Sequence, residues 1–230
     1  MGQVGGGGSY NMGDTVTLTA VPFTGYQFVQ WSDGETVNPR QVVVTNNVTY
    51  IAVFTPNIYT INVNSANPEQ GFVSGSGTYS YNTTATLTAS ANYGYHFVQW
   101  TDGDVTNPRT ISVTSNATYT AQFAPNNYIL TVMSNNTDQG VVSGGGYFTY
   151  NSTASISATA NTGYHFSQWN DGNTDNPRFV TIIGDASYTA LFFPNSYTLT
   201  VNSSNLEQGA VNGGGTFDYN TTVTLSATAN

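Results

Sequence analysis

The chain contains no cysteine and no lysine in 230 residues. Without cysteine there is no disulfide framework and no thiolate metal site. Without lysine the Lys–Asn cross-links that stiffen many Gram-positive pilins cannot form, so cohesion must come from packing and strand ladders. The only cations are Arg40, Arg109 and Arg178, against 12 acidic residues and a formal net charge of −9. Such a chain cannot present the basic patch that neutralises phosphates, which excludes nucleic acid as a partner. No run of 18 apolar residues occurs, so no membrane span is expected, and no signal peptide is visible at the start. Charged residues make up only 7%, a value that goes with burial or with disorder; 13% aromatics and abundant Val, Thr and Tyr decide for burial.

What the chain does have is a period. Trp31, Trp100 and Trp169 lie 69 residues apart (100 − 31 and 169 − 100), and so do Tyr50, Tyr119 and Tyr188. Gly71, Gly140 and Gly209 carry the same step back to Gly2. Loops tolerate length changes cheaply, so an unbroken period points to recent duplication or to geometry that forbids drift. Within one period the alternation is two, not 3.6: Tyr59, Ile61 and Val63 alternate with Thr60, Asn62 and Asn64, and Ala85, Leu87 and Ala89 with Thr84, Thr86 and Thr88. These are half-buried strands with a wet Thr/Asn face. Residues Gly71–Tyr81 read as two short strands around a glycine bend. The expectation is an all-β, tandem array of small β-rich units, about six strands each with no long helix. The units run 1–58 (first strand missing), 59–127, 128–196 and 197–230 (N-terminal part only), with seams at Pro56, Pro125 and Pro194. A unit about 25–30 Å across makes the array a rod of about 100 Å. The chain starts and stops inside a repeat. This reads as a fragment of a longer array, or as a subunit whose ends are finished by neighbours.

Each unit repeats one phrase: "GYQFVQWSDGETVNPR" at 25–40, "GYHFVQWTDGDVTNPR" at 94–109 and "GYHFSQWNDGNTDNPR" at 163–178. A Trp could be a sugar-stacking platform, but small units must bury most of their large side chains, so Trp31, Trp100 and Trp169 are read as core, facing away from the Tyr and Phe of their strand. Asp33, Asp102 and Asp171 each precede a Gly, a turn signal. Alternating oxygen donors make Asp33, Glu35, Asn38, Asp102, Asp104, Asn107, Asp171 and Asp175 weak calcium candidates. The loop lacks the bidentate Glu of an EF-hand, and a plain turn is the stronger reading. Each Arg sits seven residues beyond its Asp (40 − 33). Arg40, Arg109 and Arg178 are expected to fold back on their own Asp or to stack on their own Trp, pinning the loop. His96 and His165 stand where the first unit has Gln27, which argues against a metal or acid–base role. No nucleophile, zinc or phosphate-loop motif occurs, so neither an enzyme nor a cofactor is expected.

The phrase "GYHFVQWTDGDVTNPRTISVTSNATYTAQF", preceded by "QGFVSGSGTYSYNTTATLTASA", resembles the divergent InlB B-repeat, related to the Listeria–Bacteroides repeat of bacterial surface proteins. The resemblance spans the whole chain and rests on G-Y-x-F-x-x-W, D-G, N-P and the closing Y-x-A-x-F. It implies a small β-rich, β-grasp-like unit serving as a spacer or adhesive module outside the cell, and the whole chain is read as a structural array on the cell surface, part of a stalk, adhesin shaft or filament. The family assigns no catalytic residues. The partners expected are other copies, end to end or by strand edges, or neighbouring repeats of a longer chain. The rival reading is a module binding carbohydrate or host protein through exposed aromatics such as Phe72, Tyr93 or the Trp.

Overall fold

The computed structural model describes all residues, 1–230, as strands joined by turns, with no helix. The chain forms two compact units, Met1–Ala124 and Pro125–Asn230. Residues 59–127 display one complete copy of the repeat. Its first sheet has four strands in the order Tyr95–Trp100, Ala117–Pro125, Ile58–Ser65 and Gly77–Ser80. The central two run parallel, from Ala117 opposite Ile61 to Ala121 opposite Ser65. The second sheet places Thr84–Ala91 between Gly71–Ser74 and Arg109–Ser112, antiparallel to both. That makes seven strands, where the alternation suggested about six; the two short strands expected within Gly71–Tyr81 are present and go one to each sheet.

The layer facing the four-stranded sheet is therefore a second sheet, not the helix of a β-grasp. The physical reason lies in Thr84–Ala91, whose TATLTASA alternates small apolar and β-branched residues at period two. Ala85, Leu87 and Ala89 point inward and meet Ile61, Val63 and Trp100 from the other sheet. The copy at residues 128–196 repeats this arrangement around Leu130, Ile156 and Trp169. Gly71 and Gly140 are required by a close approach: a Cβ on either would run into the ring of Phe123 or Phe192.

The first copy is open. Its strand Ala52–Pro56 pairs only with Tyr26–Trp31, and its core reduces to Val16, Leu18, Ala20 and Trp31. Residues 196–230 form two two-stranded ladders, Ser196–Leu199 with Gly215–Asp218 and Gly209–Asn212 with Ser226–Ala229. No residue of that segment is buried.

Where one copy follows another, the seam is a backbone relay. The Asn57 N–H donates to the Gly25 carbonyl, and the Tyr81 N–H donates to the Asn57 carbonyl, both at 2.8 Å. The Tyr81 ring lies directly on Gly25 and edge-on to Tyr26, with centroids 5.7 Å apart. Gly163, Asn195 and Tyr219 repeat the same relay within the second unit.

Candidate functional site

The repeated phrase folds into a closed loop between two strands. Its anchor is the Trp. In a flat strand, Trp31 would face away from Phe28. The pairing of Tyr26–Trp31 with Ala52–Pro56 shifts register between Phe28 and Gln30, a β-bulge that adds one residue and rotates the strand. Phe28 and Trp31 therefore share a face, with ring centroids 5.5 Å apart. The third copy has the same bulge between Phe166 and Gln168. Phe97 and Trp100 meet at 5.4 Å in the second copy. All three Trp side chains are fully buried. The expectation that Trp and Phe face opposite ways is thus corrected: the aromatics pack together on the core side.

From the Trp the chain turns on Asp-Gly. The Gly34 N–H donates to the Trp31 carbonyl, and the Trp31 N–H donates to the Glu35 carbonyl, so the turn closes on itself. Gly34 adopts φ +89°, where a side chain would be strained. The buried indole N–H then reaches across the loop to a backbone carbonyl six residues on: Val37, Thr106 or Asp175, at 2.9–3.0 Å.

The Asn of Asn-Pro-Arg does something unforeseen. The Asn38 side-chain amide accepts from the Ala20 N–H at 2.8 Å and donates to the Ala20 carbonyl at 2.7 Å. A primary amide offers one acceptor and two donors in one plane. It stands in for a ladder partner at Ala20, just past the last pair Leu18–Arg40, and closes that edge of the strand Thr15–Pro22 without leaving an orphan pair. Asn107 on Ala89 and Asn176 on Ala158 repeat it. The following Asn–Pro bond is cis in all three copies.

The structure brings each Arg onto its Asp. Arg40 Nη1 lies 2.7 and 2.8 Å from the two carboxylate oxygens of Asp33, Arg109 Nη1 holds Asp102 in the same way, and Arg178 sets Nη1 and Nη2 on one oxygen each of Asp171. Arg109 Nε also faces Asp104 Oδ2 at 3.4 Å, an ion-pair distance without hydrogen-bond geometry. The aromatic partner of the Arg is a Tyr ten residues on, not the Trp, which is already enclosed in the core. The guanidinium carbons of Arg40, Arg109 and Arg178 stand 4.8, 4.9 and 4.5 Å from the ring centroids of Tyr50, Tyr119 and Tyr188.

The oxygen donors weighed for calcium are engaged within this loop. Both Asp33 oxygens accept from Arg40, Glu35 accepts from the Thr36 and Val37 N–H groups, and Asn38 holds Ala20. Asp104 caps Thr106. Asp175 accepts from the Asn173 side-chain amide at 3.4 Å. No three acidic or His side chains converge. His96 and His165 are exposed, and His165 Nδ1 sits 3.0 Å from Asn195 Oδ1 at a seam. The Trp, Asn and Arg of each phrase tie the loop to its own copy.

The family model of the divergent InlB B-repeat domain matches residues 1–58, 59–127 and 130–196. The chain belongs to this family. No curated protein matches it. Among solved structures, the Bacillus anthracis TIE protein aligns over 94% of this chain and 51% of its own, at 9% identity and a TM-score of 0.40, too distant to carry an argument. Divergent InlB B-repeats are structural repeats of bacterial surface proteins, and this chain is an all-β tandem array of them.

The latch has an acid limit. The hydrogen bond from Arg40 holds the Asp33 carboxyl below its ordinary range, and Arg178 does the same to Asp171. A carboxylate with a depressed folded pKa adds stability above its unfolded pKa of about 3.9, and that stability is lost as pH falls through the folded value. Thermal melts of this InlB B-repeat array should therefore coincide from pH 7 to about pH 5 and move downward below about pH 4. The Asp33→Asn, Asp171→Asn double variant should begin less stable at pH 7 and lose less on acidification. An identical acid loss in the variant would show that these two carboxylates do not set the limit.

Proposed function

We propose that the chain is a load-bearing segment of an extracellular shaft, stalk or filament on a bacterial surface, and that it has no catalytic role. One observation carries this reading. In each complete copy the strand where the chain enters and the strand where it leaves are parallel neighbours: Ile58–Ser65 beside Ala117–Pro125, and Asn127–Ser134 beside Ala186–Pro194. Tension on the chain pulls these two strands in opposite directions along their length. The five-pair ladder between them is then loaded in shear, all bonds together, and not opened one bond at a time. The latch and seam contacts support the same use, because they fix loop and junction within a chain that has no covalent cross-link. The partners fitting this role are further copies, in line or side by side.

Binding through a repeated aromatic platform has less support. The Trp are enclosed, and exposed Phe72, Tyr147 and Phe179 stand at three different phases, with Val141, Thr78 and Thr110 in the equivalent places of another copy.

Single-molecule stretching tests the proposal. The 230-residue chain should show two strong unfolding peaks, one per complete copy, each releasing about 230 Å of chain from its 69 residues (127 − 58). The open first copy and the last 34 residues (230 − 196) should extend at low force. Forced rupture reports the unfolding rate and not equilibrium stability, so a smooth extension without peaks would overturn the load-bearing role even for a stable protein.

A further inference from the structure

We infer that two chains meet through the outer face of the four-stranded sheet in residues 128–196, each docking the same face on the other. This rests on the reading of the chain as an array that associates with itself, and it names the lateral contact. The sheet sets Tyr147, Ile129, Met133, Leu191 and Phe193 on the side away from the core. Ile129 and Met133 alternate with buried Leu130 and half-buried Val132, and Leu191 and Phe193 with buried Ala190 and Phe192. Ile129 pairs with Tyr147, Met133 with Thr189, and Phe193 with His165. The five side chains therefore form one diagonal band across the sheet, interrupted at Thr131. Tyr147 is 78% exposed, and Ile129, Met133 and Phe193 are 44–48% exposed.

The band belongs to one copy. One period earlier its five positions hold Thr78, Thr60, Asn64, Gln122 and Ala124. One period later the first three hold Thr216, Thr198 and Asn202. Residues 59–127 build the same sheet without the band, so folding does not require it. On those strands the large apolar side chains that the middle copy exposes are Ile58 and Val98, which stand on strands that are not neighbours. Its Gln122 is held by the Gln99 side-chain amide at 3.0 Å. In the later copy Leu191 faces Gln168 instead, and that polar pair is gone. Single exposed apolar residues are ordinary, whereas a contiguous set marks a contact.

Charge and area decide the occupant. The charged residues of this copy are Asp138, Asp171, Asp175, Asp185 and Arg178, and all stand outside the four strands. Each chain carries a net −9, so two copies repel least through this face. A large side chain presents about 200 Å² when open, so at these exposures the band offers roughly 400 Å². A two-fold contact uses the same patch on both partners and so counts it twice. The Thr and Ser residues between then bring the total to the about 1,000 Å² that a specific interface needs. One sheet face also suits another, because sheets stack face to face at about 10 Å. A sugar is a poorer fit. Leu130 lies opposite Ala186, seven residues before Phe193 (193 − 186), which sets the two aromatic ends of the band about 23 Å apart. They cannot grip one ring together.

The middle copy supplies a test sequence that the same sheet already carries. The variant combines Tyr147→Thr, Ile129→Thr, Met133→Asn, Leu191→Gln and Phe193→Ala. In sedimentation equilibrium the unaltered chain should dimerise reversibly, and the variant should raise the dimer Kd by about a hundredfold with its thermal melt retained. Met133 lies mid-band, so the two-fold sets it opposite its own counterpart. In this cysteine-free protein a Met133→Cys chain should oxidise to a disulfide dimer at least about tenfold faster than Asn64→Cys, its equivalent in the middle copy. An unaltered chain that stays monomeric at millimolar concentration, a variant that dimerises equally well, or equal oxidation at Asn64→Cys would each overturn the contact. A monomeric chain that binds immobilised glycans, with binding lost in the variant, would give the face to a sugar and overturn it too. Stretching of a single chain needs no association, so the load-bearing reading stands or falls separately.

Discussion

A Trp100→Ala chain is expected to lose its middle copy. Trp100 is fully buried, touches Phe97, and donates its indole N–H to the Thr106 carbonyl. Truncating such a side chain typically costs about 3–5 kcal/mol through lost burial and the cavity left behind. A copy of 69 residues (127 − 58) has a total stability of roughly 3–10 kcal/mol at the usual value per residue, so the loss is comparable to the whole. Urea titration followed by fluorescence should show Trp31 and Trp169 still reporting a cooperative transition. Amide exchange over Thr84–Ala91 and Ala117–Pro125 should fall to the level of an open chain. Protection retained there within a factor of a few would mean that neighbouring copies hold the middle one together without its Trp.

Gly25→Ala is expected to be the second most damaging change, and it acts at a seam. Gly25 is buried at φ +80°, and a Cβ there would overlap the Tyr81 ring of the next copy. The left-handed backbone costs a residue with a side chain about 1–2 kcal/mol, and forcing a methyl into a filled space typically adds about 1–3 kcal/mol. Gly34→Ala provides the comparison: its φ is +89°, but nothing lies within 4 Å of the added methyl. The two variants share the backbone strain and differ in the collision. Gly25→Ala should therefore shift the urea midpoint of Met1–Ala124 two to three times as far as Gly34→Ala, on the order of these energies. Equal shifts would show that Tyr81 moves aside and that the seam is soft.

The parts of this molecule legible in its sequence are those whose signal is local. Alternation such as Ala85, Leu87 and Ala89 specifies which face of a strand is wet whatever it pairs with, so the all-β class and the repeated unit could be read directly. The Asp-to-Arg spacing is short enough for a loop to close on itself, which made the approach of Arg40 to Asp33 a natural expectation. The Tyr under each Arg and the Asn clamp were hidden because their partners belong to other strands. Ala20 is 18 residues before Asn38, and only the pairing of Thr15–Pro22 with Arg40–Val43 brings them together. The bulge was hidden for a related reason. An extra residue shows itself only against the partner strand, and strict alternation put Phe28 on the face opposite the buried Trp31. The signal available was Phe-x-x-Trp itself: two large aromatics three apart in a strand cannot both be buried unless the strand slips by one.

The latch also determines what can cut this protein. The three Arg side chains are only 12–16% exposed, each lying on a carboxylate with a Tyr ring beside it, and there is no lysine anywhere. A protease of trypsin specificity must draw a basic side chain into its own pocket on an extended peptide. The folded array offers it none. Cleavage at these residues has to wait for a copy to open, which couples the lifetime of the chain among such enzymes to the stability of its individual repeats.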